Sequence, residues 1–241
     1  MMMSDRAPYI SVVIPVYNEA SIIGSAAEEL RLGLEARGWD YEIVFAENGS
    51  RDSTPDILDA LSRRDSRIRW FHSDRPNYGS ALKRGILEAR GRFVLCDEID
   101  LCDLSFYDAA LPLLERDSVD MVIGSKAAKG ASDRRPLVRR LATRLHNRLL
   151  RVTLGFRGTD THGLKAFRRE RLIPVVQKCV VDMDVFASEF VLRAWRDGLK
   201  LVEIPIQLRE KRRPSIHLFR RVPNVLKNVG KLVYVIRIRG Q

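Results

Sequence analysis

Residues 92–103 read RFVLCDEIDLCD: a short apolar run with no polar face, then Asp97, Glu98 and Asp100 in quick succession. A run that is apolar at every position is the mark of a strand buried on both faces, as in a parallel sheet covered by helices. Two stretches upstream repeat the pattern. Residues 11–16 (SVVIPV) lead into Tyr17, Asn18 and Glu19, and residues 41–46 (YEIVFA) lead into Glu47, Asn48, Gly49 and Ser50. Laid parallel, the three strands bring their polar ends to one carboxyl edge, where open α/β sheets bind ligands. Carboxylates gathered there repel unless a divalent cation or a cationic ligand sits among them. The pattern points to a site for a metal-bound phosphate ester.

Between these strands the apolar residues change to a helical period. Residues 20–37 place Ile22, Ile23, Ala26, Leu30 and Leu34 at helix spacing, and Gly38 stops the run. Ser53-Thr54-Pro55-Asp56 reads as a helix start, with Pro55 where its missing N–H is harmless. Leu58, Leu61 and Ile68 lead on to a short strand at 69–72. Asn77-Tyr78-Gly79-Ser80 opens a helix over 81–89, Gly91 ends it, and 119–124 reads as one more strand. Strands and helices alternating over short links predict an α/β fold on a mostly parallel, doubly wound sheet.

With 241 residues, 45% hydrophobic and 30% charged, the chain suffices for one large folded domain with an appended helical arm. Cys96, Cys102 and Cys179 have no ligand-like spacing, which argues against a disulfide framework or zinc site and for a reducing cytosol. No apolar run approaches the roughly 20 residues that span a bilayer, and the opening MMMSDR lacks a signal peptide's apolar core. The net charge of +11 conceals an asymmetry: residues 1–125 carry 14 Lys and Arg against 22 Asp and Glu, whereas residues 126–241 carry 28 against 9. An acidic half beside a strongly basic one suits a metal–nucleotide pocket next to a surface for a polyanion. Nucleic acid is a poor candidate for that polyanion, because aromatic residues are not interleaved with the Arg clusters as stacking platforms.

The basic half opens with an amphipathic helix over 133–154. Leu137, Leu141, Leu145 and Leu149 recur every four residues, with Val138 and Leu150 beside them. Arg134, Arg135, Arg139, Arg140, Arg144, Arg148 and Arg151 fill its other faces, with no acid before Gly158. Such a helix suits the anionic surface of a membrane; it equally suits docking on the core with a solvated Arg face. A helix over 184–196 and a strand over 199–208 follow. The tail, 209–239, holds ten basic residues and one acid around Val222, Val225, Leu226, Val229, Leu232, Val233 and Ile236. It is too interrupted by charge to span a membrane but able to lie along one.

The strings SVVIPVYNEA, ENGSRDSTPDIL and PNYGSALKRGILEARGRFVLCDEIDLCD, in this order, resemble the nucleotide-sugar half of family 2 glycosyltransferases with the GT-A fold. TDTHGLKAFRRERL and LKLVEIPIQLREKRRPS resemble later blocks of the dolichyl-phosphate mannose synthase branch. The resemblance implies a GT-A domain over 8–208, with a nucleotide-sugar and metal half (8–125), an acceptor half (126–208) and a basic C-terminal arm (209–241). It implies that Pro15, Val16, Tyr17 and Glu19 hold the donor nucleotide together with Glu47, Asn48, Asn77 and Lys83. Where the family usually reads Asp-Asp-Gly-Ser, this chain has Glu47-Asn48-Gly49-Ser50, and the Asn48 amide adds a donor to its acceptor. The family's Asp-x-Asp falls on Glu98 and Asp100, the implied catalytic pair and metal ligands for Mg²⁺ or Mn²⁺. Asp103 would stand in for a third ligand where Cys102, a poor partner for a hard cation, sits. Lys126, Arg139, Thr143 and Asn147, with Arg212, Arg213 and Ser215, fall where that branch surrounds the acceptor phosphate, and Ile216 stands where Lys is expected. His162 either touches the donor sugar or serves as a structural hydrogen-bonder.

The implied reaction is a metal-dependent, inverting transfer from a nucleotide-diphosphate sugar to a polyprenyl phosphate. The enzyme would work peripherally on an anionic membrane, at the inner, cytoplasmic face of the cell membrane. A phosphate monoester, with a second pKa of about 6, is largely anionic at neutral pH and needs no general base. Two alternatives stay open: transfer to a hydroxyl, with Asp103 or Asp182 as base, and a nucleotide-sugar-binding homologue without catalysis. Oligomeric state has no signature in the sequence.

Overall fold

The computed structural model describes residues 7–133, 137–183, 185–208 and 218–238. In chain order its elements are β1 (Ile10–Val16), α1 (Ile23–Ala36), β2 (Tyr41–Glu47), α2 (Thr54–Arg64), β3 (Ile68–Phe71), α3 (Tyr78–Glu88), β4 (Phe93–Cys96), α4 (Leu104–Glu115) and β5 (Met121–Ser125). There follow β6 (Ser132–Asp133), α5 (Leu137–Leu154), β7 (Lys165–Arg168), α6 (Arg169–Lys178), α7 (Phe186–Arg196), β8 (Leu201–Pro205), β9 (Gln207–Leu208), α8 (Leu218–Val233) and a π-helical turn, Tyr234–Ile238. The main sheet runs β3-β2-β1-β4-β7-β5-β8, and β6 pairs with β9 separately.

The expected α/β architecture is present. β1 and β2 bury every position and pair in parallel from Ile10↔Tyr41 to Val16↔Glu47. β4 pairs in parallel on the other side of β1, with Val13 opposite Cys96. The chain thus goes outward from β1 to β3 and then returns across β1 to β4. That reversal leaves a crevice between the carboxyl ends of β1 and β4, the switch point of a doubly wound sheet. One feature departs from a parallel arrangement: β7 lies antiparallel between β4 and β5. Its first residues therefore start at the same edge where β4 and β5 end.

Apolar residues on the two sheet faces form two cores. One gathers Ile23, Leu30 and Leu34 of α1 with Phe106, Tyr107 and Leu111 of α4. The other gathers α3, α6 and α7 together with Leu150 and Leu154 of α5 and Val229, Leu232 and Ile236 of the tail. Part of the tail that was expected to be available for a membrane is therefore core. The single strand expected over 199–208 divides into β8 and β9, which belong to different sheets. Of the helix expected from 133, Asp133 instead belongs to β6, where Ser132 and Asp133 pair with Gln207 and Leu208, and the described helix is Leu137–Leu154.

α5 does not bury its leucine stripe. Leu137, Val138, Leu141 and Leu145 are 77%, 54%, 56% and 59% exposed, whereas Leu150 is 0% exposed. The helix has two apolar sides, one in the core and one outside. Among the described residues, no helix is long and apolar enough to cross a membrane.

Candidate active site

The carboxyl ends of β1 and β2 are tied to each other. Asn18, in the left-handed region at φ 54°, donates its backbone N–H to Ser50 Oγ at 2.9 Å, and its side-chain oxygen accepts from Arg51 N at 2.8 Å. Glu19 N donates to Thr54 Oγ1 at 2.8 Å. Pro15, Val16 and Glu19 are buried, whereas Tyr17 is half-buried at the rim. Glu47 is fully buried; its carboxylate accepts from Ser50 N at 2.5 Å and contacts His72 Nδ1. Burial alone would raise the Glu47 pKa, but the Ser50 and His72 hydrogen bonds outweigh it and hold the group below the ordinary glutamate range. Asn48 Oδ1 accepts from Asn77 N at 2.5 Å, and Asn77 Oδ1 caps α3 through Ser80 N at 3.1 Å.

Two residues expected at the nucleotide thus have their charges engaged elsewhere. The Glu47 carboxylate braces its own turn. Lys83 Nζ donates to the Cys179 carbonyl at 2.6 Å, anchoring the loop before α7. Both shape the walls of the crevice, because their polar atoms are spent inside the protein.

The acid-tipped turn after β4 is organised by its buried member. Asp97 accepts from Tyr107 Oη at 2.5 Å, Asp103 N at 3.0 Å and Glu98 N at 2.6 Å. Burial pushes the Asp97 pKa up to about 7 against the lowering effect of these donors. Glu98 is exposed and Asp100 half-buried, so these two carboxylates face outward from a rigid base. Asp103 caps α4, its Oδ1 accepting from Ser105 N and Phe106 N, each at 3.1 Å. That duty weakens its expected role as a third metal ligand. Cys102, at φ 44°, is the other non-glycine residue of the described chain in the left-handed region.

No three His, Cys, Asp or Glu side chains among the described residues converge as a ready-made metal cage. Glu98 and Asp100 still offer hard carboxylate oxygens with coordination positions left for ligand oxygens. Mg²⁺ is commonly held in this way, by one or two carboxylates plus substrate phosphates. The donor set fits such an ion. Tyr78 carries no signal of function in the sequence, because as the first residue of α3 it reads as a turn residue. Two fifths of it is exposed, yet enclosure of its hydroxyl, followed by the charges of Glu98, Asp97 and Asp100, raises its pKa well above the ordinary phenol range. It is a protonated hydroxyl beside the acid turn.

The reversed strand β7 supplies the third wall. Asp160, fully buried, accepts from His162 N at 2.8 Å and from Lys126 N at 3.2 Å. Burial would raise its pKa, but the Lys126 charge and these amides hold it low. Gly163 packs so closely that a Cβ there would lie 1.7 Å from the Gly124 carbonyl oxygen. Lys165, buried opposite Cys96, donates to the Gly163 carbonyl at 2.8 Å. The turn carrying Asp160 and His162 is thereby clamped against the end of β5 and Lys126.

Of the residues expected around an acceptor phosphate, Lys126 and Thr143 are half-buried on this side. Asn147 also braces the turn: its Nδ2 donates to the Thr159 carbonyl at 2.6 Å, leaving a buried Oδ1 without a partner. Arg139 lies on α5 with its side chain outside the description, and Arg212, Arg213 and Ser215 lie outside the described residues.

The order of motifs, the switch-point crevice and the paired carboxylates together define a class. Residues 11–173 match the model of Glycosyl transferase family 2, and the chain belongs to that family. Glycosyltransferase AglD of Haloferax volcanii is 31% identical over 95% of this chain, which spans only 38% of AglD's own length. Dolichyl-phosphate beta-glucosyltransferase ALG5A of Trichomonas vaginalis is 27% identical over 84% of this chain and 66% of its own. The GT-A fold is shared with glucosyl-3-phosphoglycerate synthase of Mycobacterium tuberculosis, solved with Mn²⁺, UDP and glucosyl-3-phosphoglycerate. The TM-score is 0.66 at 21% identity, over 94% of this chain and 80% of that one.

Proposed function

We propose that the chain transfers a sugar from a nucleotide-diphosphate sugar to a polyprenyl phosphate at an anionic membrane surface, bound peripherally on the cytoplasmic face. The observation that carries this reading is the outer side of α5. Exposed Leu137, Val138, Leu141, Leu145 and Val152 lie beside Arg140, Arg144, Arg148 and Arg151, and the inner side of the same helix reaches the turn that holds Asp160 and His162. An apolar stripe flanked by arginines suits acyl chains below and anionic headgroups beside them.

Within this reading, Tyr17 and Asn48 meet the nucleoside at the β1–β2 edge, and Glu98 and Asp100 hold Mg²⁺ or Mn²⁺. An ion held there would neutralise charge on the departing diphosphate. The Tyr78 hydroxyl, beside the acid turn, would donate a hydrogen bond to that group. Lys126 and the α5 arginines draw the acceptor phosphate in, with Arg139, Arg212, Arg213 and Ser215 assigned by family resemblance alone. The acceptor is already an oxyanion, so the protein's task is alignment of the two substrates.

The test is transfer of labelled sugar to polyprenyl phosphate in anionic vesicles, with product released by mild acid as a sugar on lipid phosphate should be. An acid-stable product would favour a hydroxyl acceptor. Asp100→Ala should abolish transfer while leaving the thermal midpoint unchanged, and near-normal turnover in that variant would overturn the metal assignment.

A further inference from the structure

Several side chains expected at the donor nucleotide spend their polar atoms inside the protein: Glu47 on Ser50 N and His72, the Asn77 oxygen on Ser80 N, and Lys83 on the Cys179 carbonyl. Asn48 does so only by half. It stands one residue past the Val16↔Glu47 pair, level with Tyr17, and its backbone N donates to the Val16 carbonyl at 3.0 Å. Its side-chain Oδ1 accepts from Asn77 N at 2.5 Å. Its Nδ2 meets no acceptor among the described residues, although the residue is only 5% exposed, and the atom is not sealed in the interior.

A peptide N–H donates to oxygen and not to an amide NH₂, so the contact with Asn77 settles which end of the Asn48 amide is which. The same contact forbids a flip, because turning the amide over would set two donors face to face. Asn77 is itself held as the cap of α3, so the lock belongs to the fold. Oδ1 keeps a second lone pair beside the hydrogens of Nδ2. The amide therefore offers one acceptor and one donor in a fixed order.

We propose that this locked amide selects the donor's base: it admits a ring N–H beside a carbonyl, as in uracil or guanine, and rejects a bare ring nitrogen beside an amino group, as in cytosine or adenine. The ring N–H donates to Oδ1, and the carbonyl accepts from Nδ2. Cytosine in the same pose sets its bare nitrogen against Oδ1 and its amino group against Nδ2, so both contacts turn repulsive. A freely turning amide would serve either pyrimidine. A carboxylate would separate them poorly, because each gives it one donor and one acceptor. The inference rests on the nucleotide-sugar reading above and names the class of base that this reading leaves open.

Calorimetry of the full chain with Mn²⁺ and nucleoside diphosphates, without acceptor or membrane, tests it. Two pairs differ only at the edge in question: UDP against CDP, and IDP, which carries guanine's N–H and carbonyl, against ADP. The pair that binds better tells a pyrimidine pocket from a purine one. Within it, UDP or IDP should bind at least about tenfold tighter than its partner, the scale of one hydrogen bond exchanged for an unpaired group. Asn48→Asp, which keeps an oxygen for Asn77 N, should bring that ratio close to one; if its thermal midpoint shows a folding defect, Asn48→Ala should lose the ratio in its place. Equal affinities in the wild type, or a preference for CDP or ADP, overturn the inference and leave nucleotide binding standing. A ratio unchanged in the folded variant overturns Asn48 as the selector. No binding of any of the four overturns the function proposed above, and this inference with it.

Discussion

Leucines on one helix should answer substitution in opposite ways, according to which side of α5 they occupy. Leu141 and Leu145 are 56% and 59% exposed, and Leu150 is 0% exposed. Complete burial of a leucine side chain is worth about 1.5–3 kcal/mol. A residue with rather more than half its surface free has about 1 kcal/mol left to gain on a membrane. Leu141→Ser with Leu145→Ser should therefore weaken binding to anionic vesicles by about 2 kcal/mol, roughly thirtyfold, with the thermal midpoint nearly unchanged. Leu150→Ala should do the reverse. It removes a packed side chain at about 2–5 kcal/mol, lowering the midpoint by roughly 5–15 °C for a domain of this size, and should leave the vesicle affinity of the folded fraction alone. Vesicle sedimentation and thermal denaturation of the same preparations give both readouts. If the double serine variant lost as much stability as Leu150→Ala, the outer stripe would be core and the membrane reading would fail.

Glu98→Ala should abolish metal-dependent stabilisation by nucleotide-diphosphate sugar, checked by thermal shift with and without Mn²⁺; retained stabilisation would place the ion elsewhere. Gly163→Ala forces a Cβ to 1.7 Å from the Gly124 carbonyl oxygen, a clash that rigid backbone on both sides cannot absorb. It should cost more than the roughly 1 kcal/mol expected of Gly38→Ala, where φ is +65° but no atom lies within 4 Å, and urea denaturation compares the two. Glu47 is held below its unfolded pKa, so its contribution to stability is present above that unfolded value and is lost as pH falls through the folded one. Glu47→Gln should therefore be less stable than wild type at pH 7, and the gap should close on acidification; a gap independent of pH would remove the ionised carboxylate from the account.

Much of this fold is written in local pattern. The apolar runs of β1, β2 and β4, broken only by Ser11 and Glu42, and their polar exits can be read directly, because a strand buried on both faces has no alternation to confuse the eye. β7 is hidden for the opposite reason: Lys165 and Arg168 at its ends are charged, and their burial rests on the carbonyls of Gly163 and Val119 that accept from them. α5 shows the limit of periodicity. The leucine spacing announces an apolar side but does not say whether that side meets protein or surroundings, and burial falls instead on Asn147, Leu150 and Leu154. In the site, the acid cluster after β4 is legible from chemistry, and the choice of Glu98 and Asp100 within it comes from the family resemblance. The bracing of Asp97 by Tyr107, the diversion of Lys83 to Cys179, and the hold of Asn77 on the Asn48 amide are not legible, since each joins segments distant in sequence.

The reversed strand has a consequence for synthesis. β4 can dock on β1 as soon as its own residues emerge, but its other side stays open until Lys165 arrives to pair with Cys96. Throughout that interval the nascent chain carries a bare, wholly apolar sheet edge, the kind of template that recruits stray strands. Translation speed between α4 and β7 should then govern yield, and a pause placed there would be answered by aggregates or by a chaperone holding the half-built sheet.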